Sequence, residues 1–210
     1  MRLLLLGATG RTGRELLDQA LRKGHQVTAL VRDPTKLTGH DGRIRTVVGS
    51  ATDPVAVEQS VEAQDSILCA FGPSSPTALL SSDLMVMTTN ALITSMRRHE
   101  VSRVVMLSAL GAGNSREHAP VVLQLAFRTL LRQVGRDKAD SEELLRRSDL
   151  NWTVVYPPSL EDGPRTGAYR HGEALKLKGM PKITRSDVAE FMLTQVTDTS
   201  YRRKPVVVTS

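Results

Sequence analysis

Hydrophobic and polar positions divide the chain into short apolar runs and longer segments with helical spacing. The first run, residues 3–6, is leucine throughout, and the segment after it places Leu16, Leu17, Ala20 and Leu21 on one helical face. Unbroken apolar runs of this kind are typical of strands that are buried on both faces of a parallel sheet. A strand followed by a helix is the repeating unit of such a sheet.

The same alternation repeats along the chain without a change in composition. It predicts a single α/β domain, a doubly wound parallel sheet of the Rossmann type, over residues 1–210, with a small substrate-side portion from about 157 to 210. The strands are predicted at 3–6, 26–31, 44–48, 66–71, 104–108, 152–156 and 205–208, with a possible short strand at 174–178. After the first helix, helices are predicted from a cap at Thr52 or Asp53 to about 63, then at 82–99, at 120–147 with a break near Gly135, and at 186–196.

Composition and charge restrict the classes of function. The 28 Lys and Arg residues exceed the 22 Asp and Glu residues by a net charge of +6, and the basic residues are scattered rather than gathered in a stripe. This pattern favours attraction of small anionic molecules over nucleic-acid binding. The single cysteine, Cys69, excludes an internal disulfide, and no histidine pair has the spacing of a zinc site, so we expect no metal.

The apolar runs are also too short for a bilayer. The N-terminal run stops at Gly7, which is too early for a signal peptide, and no later segment approaches the length of a membrane span. We therefore expect a cytoplasmic protein without membrane or nucleic-acid partners. It should act on a small molecule as a monomer or a small homo-oligomer.

The turn after the first run has the spacing Gly-x-x-Gly-x-x-Gly, at Gly7, Gly10 and Gly13. Gly7 would permit a tight turn, Gly10 would let backbone N–H groups approach a pyrophosphate, and Gly13 would let the helix pack closely on the strand. The N-terminus of the helix then directs unpaired N–H groups and the positive end of its dipole at the phosphates. Strand, turn and helix in this order favour dinucleotide binding over a purely structural turn.

The residue beyond the second run indicates which dinucleotide is bound. In such folds this position meets the adenosine ribose, where an acidic side chain binds the 2′-hydroxyl and repels a 2′-phosphate. Arg32 stands there instead and offers a charged fork to a phosphate, and Arg11 and Lys36 could add to the same positive site. The sequence therefore predicts NADP(H), against the alternative that Arg32 is a solvated loop residue.

Functional residues in this architecture are expected on the loops that follow the strands. Ser108, at the end of the fifth run, could hydrogen-bond a substrate carbonyl or the nicotinamide carboxamide and is our candidate catalytic residue. Many reductases of this class use Tyr-x-x-x-Lys, but none of Tyr156, Tyr169 and Tyr201 has a lysine four residues later. This absence favours hydride transfer to a conjugated acceptor that takes its proton from water, while the protein positions the reactants.

Several stretches together resemble a known family: GATGRTG at 7–13, LVRDPTKL at 30–37, LSALG at 107–111, and WTVVYPPSL with TGAY within 152–169. They resemble atypical short-chain dehydrogenases/reductases, and among these the NADPH-dependent flavin reductase/biliverdin-IXβ reductase family, over nearly the whole chain. The resemblance implies an NADPH-dependent reductase of a flavin, a quinone or a similar conjugated acceptor. A non-catalytic NADP(H)-binding regulator of the NmrA-like group is the alternative, and a nucleoside-sugar epimerase is a weaker third.

The resemblance also implies roles for individual residues. Phosphate contacts fall on Gly7, Thr9, Gly10, Arg11, Thr12 and Gly13, and the 2′-phosphate contact falls on Arg32 with Lys36. Where relatives place Gly-Asp beside the adenine, this chain would use Ser50 or Ala51. The remaining cofactor contacts fall on Phe71, Gly72, Ser108 and Pro157, and on Lys138 and Ser159 where the family has histidines. Substrate contacts fall on Phe71, Pro73, Ser108, Leu110 and Pro158.

Overall fold

The computed structural model describes residues 1–37, 39, 42–72, 83–129, 131–175, 177 and 179–210. Its strands are β1 Arg2–Leu6, β2 Gln26–Val31, β3 Ile44–Val48, β4 Ser66–Cys69, β5 Arg103–Leu107, β6 Asn151–Tyr156, β7 Ser159–Glu161, β8 Arg170–Gly172, β9 Lys182–Thr184 and β10 Lys204–Thr209. Its α-helices are α1 Arg11–Arg22, α2 Pro54–Val61, α3 Leu84–Arg98, α4 Val121–Arg128, α5 Arg132–Arg147 and α6 Arg185–Thr194. Short 3-10 helices cover Pro34–Lys36 and Gly113–His118.

Eight strands of the described chain form one sheet in the order β3-β2-β1-β4-β5-β6-β10-β8. Every neighbouring pair is parallel except β10 and β8, which run antiparallel at one edge. β7 and β9 form a separate parallel pair. The order of the chain through the sheet reverses between β1 and β4, and ligands bind at such a reversal point in open α/β sheets. The predicted fold class, a doubly wound Rossmann-type sheet, is confirmed.

Alternate side chains of each buried strand enter cores on opposite faces of the sheet, as a strand repeat of two residues requires. On β1, Leu4 and Leu6 pack among residues of α2, α3 and α5, whereas Leu3 and Leu5 pack among residues of α1 and α6. Both faces are therefore covered, which explains why β1 reads as an uninterrupted apolar run rather than as an alternating one.

The loop beyond β7 is held to α6 by one buried carboxylate. The main-chain N–H groups of Thr166 and Gly167 donate to Asp187 at 2.8 and 2.9 Å, and the hydroxyls of Thr166 and Thr184 donate to it at 2.8 and 2.9 Å. The N–H of Asp187 donates in return to Thr184 Oγ1 and caps the helix. Burial of Asp187 opposes its ionisation, but the hydrogen bonds from Gly167, Thr166 and Thr184 outweigh burial and lower its pKa.

Two of the predicted elements are wrong in position. No strand forms in the described part of 174–178, and residues 176 and 178 lie outside it. The strand is at Arg170–Gly172 instead, because that segment can pair antiparallel with the end of β10. The helix break is found between Arg128 and Arg132 rather than near Gly135. Gly135 lies within α5, where its missing side chain leaves room for the ring of Phe127, which would lie 3.0 Å from a Cβ there.

Candidate cofactor and active site

A cleft of about 720 Å³ opens at the reversal point between β1 and β4. The lining of the cleft includes residues from the loops after β1, β2, β3 and β4. Those that also predicted a dinucleotide site are Gly7, Thr9, Gly10, Arg11, Thr12, Arg32, Ser50, Ala51, Phe71 and Gly72. These segments are far apart in sequence, and the parallel sheet brings their carboxyl ends to one edge. Many, but not all, of the residues that the sequence assigned to the cofactor therefore line one cleft.

The glycines of the first loop have steric reasons that the structure makes visible. Gly7 has a φ of +86°, and a Cβ there would lie 2.7 Å from the carbonyl oxygen of Ala70. Gly13 lies behind the loop rather than in the cleft lining, where a Cβ would overlap the carbonyl oxygen of Gly7. Larger residues would thus push α1 away from β1.

The first turn of α1 is suited to an anion. Gly10 is the N-cap of the helix, and among the described residues no side chain caps it. The N–H groups of Arg11, Thr12 and Gly13 precede the first hydrogen bond of the helix, which Arg14 N–H donates to the Gly10 carbonyl at 2.9 Å. Unpaired N–H groups and the positive end of the helix dipole attract a phosphate at this position. The loop therefore fits the pyrophosphate of a dinucleotide.

The guanidinium of Arg11 contacts the Asp162 carboxylate from the loop beyond β7. Arg185 Nη1 approaches the other oxygen of the same carboxylate at 2.7 Å. Both Arg11 and Asp162 are well exposed, so water screens this ion pair. Asp162 therefore links the phosphate loop to the C-terminal part of the chain, and Arg185 keeps it paired if Arg11 turns towards a phosphate.

The residue beyond β2 is placed as expected. Arg32 is exposed and lines the cleft, while the neighbouring Asp33 turns away from it and accepts hydrogen bonds from Thr35. Thr35 lowers the pKa of Asp33 in this arrangement. The ammonium of Lys36 lies 3.7 Å from Asp33 and does not line the cleft, so its proposed contact with a 2′-phosphate stays a prediction.

Ser108 belongs to a buried network beside the cleft that sequence reasoning did not find. Phe71 and Ser108 each lie two residues beyond the paired Cys69 and Met106, so they follow neighbouring strands at the same edge of the sheet. The Ser108 hydroxyl donates to Glu142 Oε1 at 2.6 Å. The Tyr156 hydroxyl donates to Glu142 Oε2 at 2.5 Å. Two strand-end hydroxyl groups thus share one carboxylate from α5.

The electrostatics of this network follow from burial. Glu142 is 0% exposed, and desolvation raises its pKa although the bonds from Ser108 and Tyr156 oppose the change. Burial, followed by the neighbouring carboxylate, raises the pKa of Tyr156. Lys138 is buried one helical turn before Glu142, and burial lowers its pKa against the attraction of Glu142 and Asp137. Arg146 reaches Glu142 at 3.5 Å from the next turn.

Only weak sequence signals could have shown this network. Glu142 and Arg146 have the four-residue spacing of an ion pair on a helix surface, and the pair is present, but Glu142 faces inward. Lys138 and Glu142 are also four residues apart, which places both on the buried face of α5. Nothing local connects Glu142 with Tyr156, because their contact depends on how α5 packs on β6.

Most of the remaining predicted residues follow β5 and β6 and lie outside the cleft lining, whereas Lys138 lies on α5. Leu110 N–H donates to the Pro157 carbonyl at 2.9 Å, which ties these two loops together. Leu110 is buried, Pro158 is partly buried and Ser159 begins β7. Pro73, a predicted substrate contact, lies outside the described residues. The roles assigned to Ser108, Leu110, Lys138, Pro157, Pro158 and Ser159 stay predictions.

The described residues form neither a metal-ligand cluster nor a membrane-spanning helix. Nowhere in this part of the chain do three His, Cys, Asp or Glu side chains converge as a metal site would require. Within the same residues, every helix is too short or too polar to cross a membrane.

The strand order, the glycine loop and the cleft at the reversal point define a dinucleotide-binding domain of the Rossmann type. The chain belongs to the NAD(P)H-binding family, which matches residues 7–199. The predicted family resemblance and the nicotinamide dinucleotide cofactor are thereby confirmed.

Individual relatives agree with this assignment. The chain is 24% identical over 220 residues to the uncharacterized protein YwnB of Bacillus subtilis, covering 100% of this chain and 99% of the relative. The anaerobillin reductase ChuY of Escherichia coli O157:H7 superposes with a TM-score of 0.82 at 22% identity, covering 99% and 96% of the two chains. A short-chain dehydrogenase/reductase of Veillonella parvula, solved in complex with NADP, has a TM-score of 0.82 at 20% identity, covering 100% and 94%. At these identities the solved structures show the fold.

Proposed function

We propose that the protein is an NADPH-dependent reductase that transfers hydride to a flavin, a quinone or a similar conjugated acceptor. The observation that carries the proposal is the placement of Ser108. It follows β5 at the edge of the sheet that also forms the NAD(P)H cleft, and Glu142 fixes its hydroxyl. A bound nicotinamide would supply the hydride. The chain's own contribution is to bind, orient and shield the two reactants.

The phosphorylated cofactor is supported by charge at the adenosine end of the cleft. Arg32 and Arg11 both line the cleft, and no acidic residue lines it in the described chain. Asp33, the carboxylate nearest in sequence to Arg32, is used within its own 3-10 turn. A 2′-phosphate bound in the cleft would therefore meet the guanidinium of Arg32, and bidentate contacts of this kind are strong.

The class of acceptor is supported by the hydrogen bond that the Tyr156 hydroxyl makes. Tyr156 is the tyrosine nearest to Ser108 in this network, and its proton is directed at Glu142 rather than outward. Val134, not a tyrosine, stands four residues before Lys138. A carbonyl substrate that needs a tyrosine acid is thus poorly served. A conjugated ring spreads the incoming electron pair and can take its proton from water.

The position of Ser108 gives it a directional role. Because its hydroxyl donates to Glu142, its oxygen lone pairs are the part available to a neighbour, such as the carboxamide N–H of nicotinamide. Ser108 would then orient the nicotinamide ring, and Phe71, Leu110 and Pro158 would shield the reacting face from water. Loss of the hydroxyl should lower turnover more than cofactor affinity.

The test follows NADPH oxidation by its near-ultraviolet absorbance with flavin mononucleotide, riboflavin, benzoquinone and biliverdin as acceptors. We expect turnover with at least one acceptor. Ser108→Ala should reduce kcat by about tenfold and leave the Kd for NADPH within about twofold, as expected for the loss of one orienting hydrogen bond. Ser102→Ala, at an exposed serine before β5, is the matched control and should change neither value.

The alternative is distinguishable in the same experiment. Tight NADPH binding without oxidation by any acceptor would overturn the reductase and favour the regulatory protein that binds the dinucleotide without using it. Equal effects of Ser108→Ala and Ser102→Ala on turnover would remove Ser108 from the active site while leaving the reductase activity standing.

A further inference from the structure

A second pocket, of about 320 Å³, lies between α4, α5 and the 3-10 helix Gly113–His118. It shares no lining residue with the cofactor cleft. Four of its lining side chains are arginines, and we call it the arginine pocket: Arg116, Arg128, Arg132 and Arg136. The lining contains no acidic residue. A concave surface with this much positive charge is suited to an anion.

The arginines of the pocket differ from those elsewhere on the same helix. At the end of α5, Arg147 donates to Glu143 at 2.8 Å and Arg146 approaches both Glu142 and Glu143. Within the described chain, no ion pair or hydrogen bond engages the guanidinium groups of Arg116, Arg128, Arg132 and Arg136. Asp140 stands four residues after Arg136 but is exposed and does not line the pocket. These guanidinium groups therefore keep their hydrogen-bond donors available.

The arrangement of charge also destabilises the protein when no anion is bound. Arg132 and Arg136 are four residues apart on α5, and like charges at this spacing repel within a helix. Arg132 is the first residue of α5, whose first turn contains no acidic residue, so a cation faces the positive end of the helix dipole. A bound anion would relieve both repulsions, whereas packing alone gives no reason for them.

We propose that the arginine pocket binds a small molecule with at least two phosphate or carboxylate groups. The planar fork of arginine matches both oxyanions and can bind each through two parallel hydrogen bonds. Arg116 belongs to a different element from Arg132 and Arg136, so the groups surround a ligand instead of forming a flat stripe. The inference stands on the pocket itself and holds whether or not the protein is a reductase.

The floor of the pocket connects it with the loop after β5, which carries Ser108. Phe127 lines the pocket and is 7% exposed. Its ring packs against Gly111, where a Cβ would come within 3.0 Å of it. Gly111 follows Ser108 by three residues. A polyanion in the pocket would thus rest on the side chain that supports the loop after β5.

Calorimetric titration of the full chain with pyrophosphate tests the proposal, with saturating NADP⁺ present so that the phosphate loop of the cofactor cleft is filled. Wild-type protein should bind one pyrophosphate, more weakly as salt rises. The double variant Arg132→Ser, Arg136→Ser should weaken binding by at least about tenfold, since several charge-assisted hydrogen bonds are lost. Arg116→Ser should weaken it as well, by a smaller factor. A parallel titration with citrate distinguishes a phosphate site from a carboxylate site, and binding of either supports the proposal.

Arg22→Ser is the matched control, because Arg22 is exposed in the last turn of α1 and lies in neither pocket. It should bind pyrophosphate as wild type does. Far-ultraviolet circular dichroism and thermal melting show whether each variant is folded. Amide NMR adds a readout of position, with shifts at Phe127 and Gly135 expected on titration. Absence of binding by wild type to both anions would overturn the proposal, and so would unchanged affinity in the folded double variant.

Discussion

The buried carboxylate of Asp187 offers a sharp test of how the C-terminal part of the chain is held in place. We consider Asp187→Asn, which preserves the shape of the side chain and removes its charge. The amide oxygen can still accept from Thr166 N–H and Gly167 N–H, but the amide nitrogen now faces the hydroxyls of Thr166 and Thr184. Both hydroxyls must turn to accept instead of donating.

The magnitude follows from these contacts. A hydrogen bond to a charged group is worth about 1.5–3 kcal/mol and a neutral one about 0.5–1.5 kcal/mol, so each of the two retained bonds loses about 1 kcal/mol. Loss of a negative charge in the first turn of α6 adds about 0.5 kcal/mol. The free energy of unfolding should therefore fall by about 2–3 kcal/mol, which for a chain of this size lowers Tm by about 5–10 °C.

The effect should depend on pH with a definite sign. The pKa of Asp187 is lowered in the folded state, so its contribution to stability is present above the ordinary aspartate pKa of about 4 and is lost as pH falls through the folded value. Urea unfolding at neutral pH should show the full difference between wild type and variant. The difference should shrink as the pH falls below about 4, because wild type then loses the same charge.

The control is Asp149→Asn, which alters an exposed carboxylate paired with Arg97 and should change stability far less. Hydrogen exchange supplies a local readout, since the amides of Thr166 and Gly167 should exchange faster in Asp187→Asn alone. The carboxylate does not hold the loop in the way described if both variants lower the free energy of unfolding by the same amount. The same conclusion follows if the loss in Asp187→Asn is unchanged at acid pH.

Three further substitutions address the cleft and its support. Arg32→Asp should weaken NADPH binding by about 10- to 100-fold in a fluorescence titration and affect NADH less, and equal losses would contradict the assignment of the 2′-phosphate. Gly13→Ala should lower the free energy of unfolding in urea by about 1–3 kcal/mol and weaken the binding of both NADPH and NADH, because the new Cβ overlaps the Gly7 carbonyl. Unchanged binding would argue against this close packing. Asp137→Ala should cost about 1–2 kcal/mol in urea, since Asp137 accepts from Met85 N–H and the next N–H at the start of α3; a negligible cost would mean that water replaces this cap.

The parts of the fold that were predictable are those set by local pattern. The strands β1, β4 and β5 follow apolar runs, because a strand buried on both faces has no polar side to interrupt it. The helix at Pro54–Val61 begins after Asp53, whose side chain accepts from Val55 N–H at 3.0 Å as a cap should. The first loop of the cleft lining could also be predicted from the sequence, because its steric and electrostatic signature lies within seven consecutive residues.

The parts that were missed depend on pairing between distant segments. β7 and β9 are only three residues each and pair with each other, so neither carries an apolar run of its own. β8 is polar and exposed at the edge of the sheet, and only its antiparallel register with β10 makes it a strand. The arginine pocket was hidden for the same reason, because scattered basic residues look solvated until the fold gathers them.

Glu142 shows most directly how packing changes the chemistry that the sequence suggests. A missing Tyr-x-x-x-Lys pair leaves open whether another tyrosine supplies the proton, and Tyr156 at the end of β6 is the obvious substitute. The contact with Glu142 argues against that role. Its phenolic proton already points to a buried carboxylate, and transferring that proton to a substrate would leave a phenolate facing a carboxylate in the protein interior.

The same contact explains why Glu142 is tolerated in the core. Its two oxygens each accept a hydroxyl, and Lys138 and Arg146 lie one turn away on either side, so the carboxylate is paired although it is fully buried. Ser108 is thereby held in one orientation by a group that the substrate does not need to touch. In the proposed reductase, an active site organised in this way would direct hydride by position and would suit acceptors whose protonation can wait for solvent.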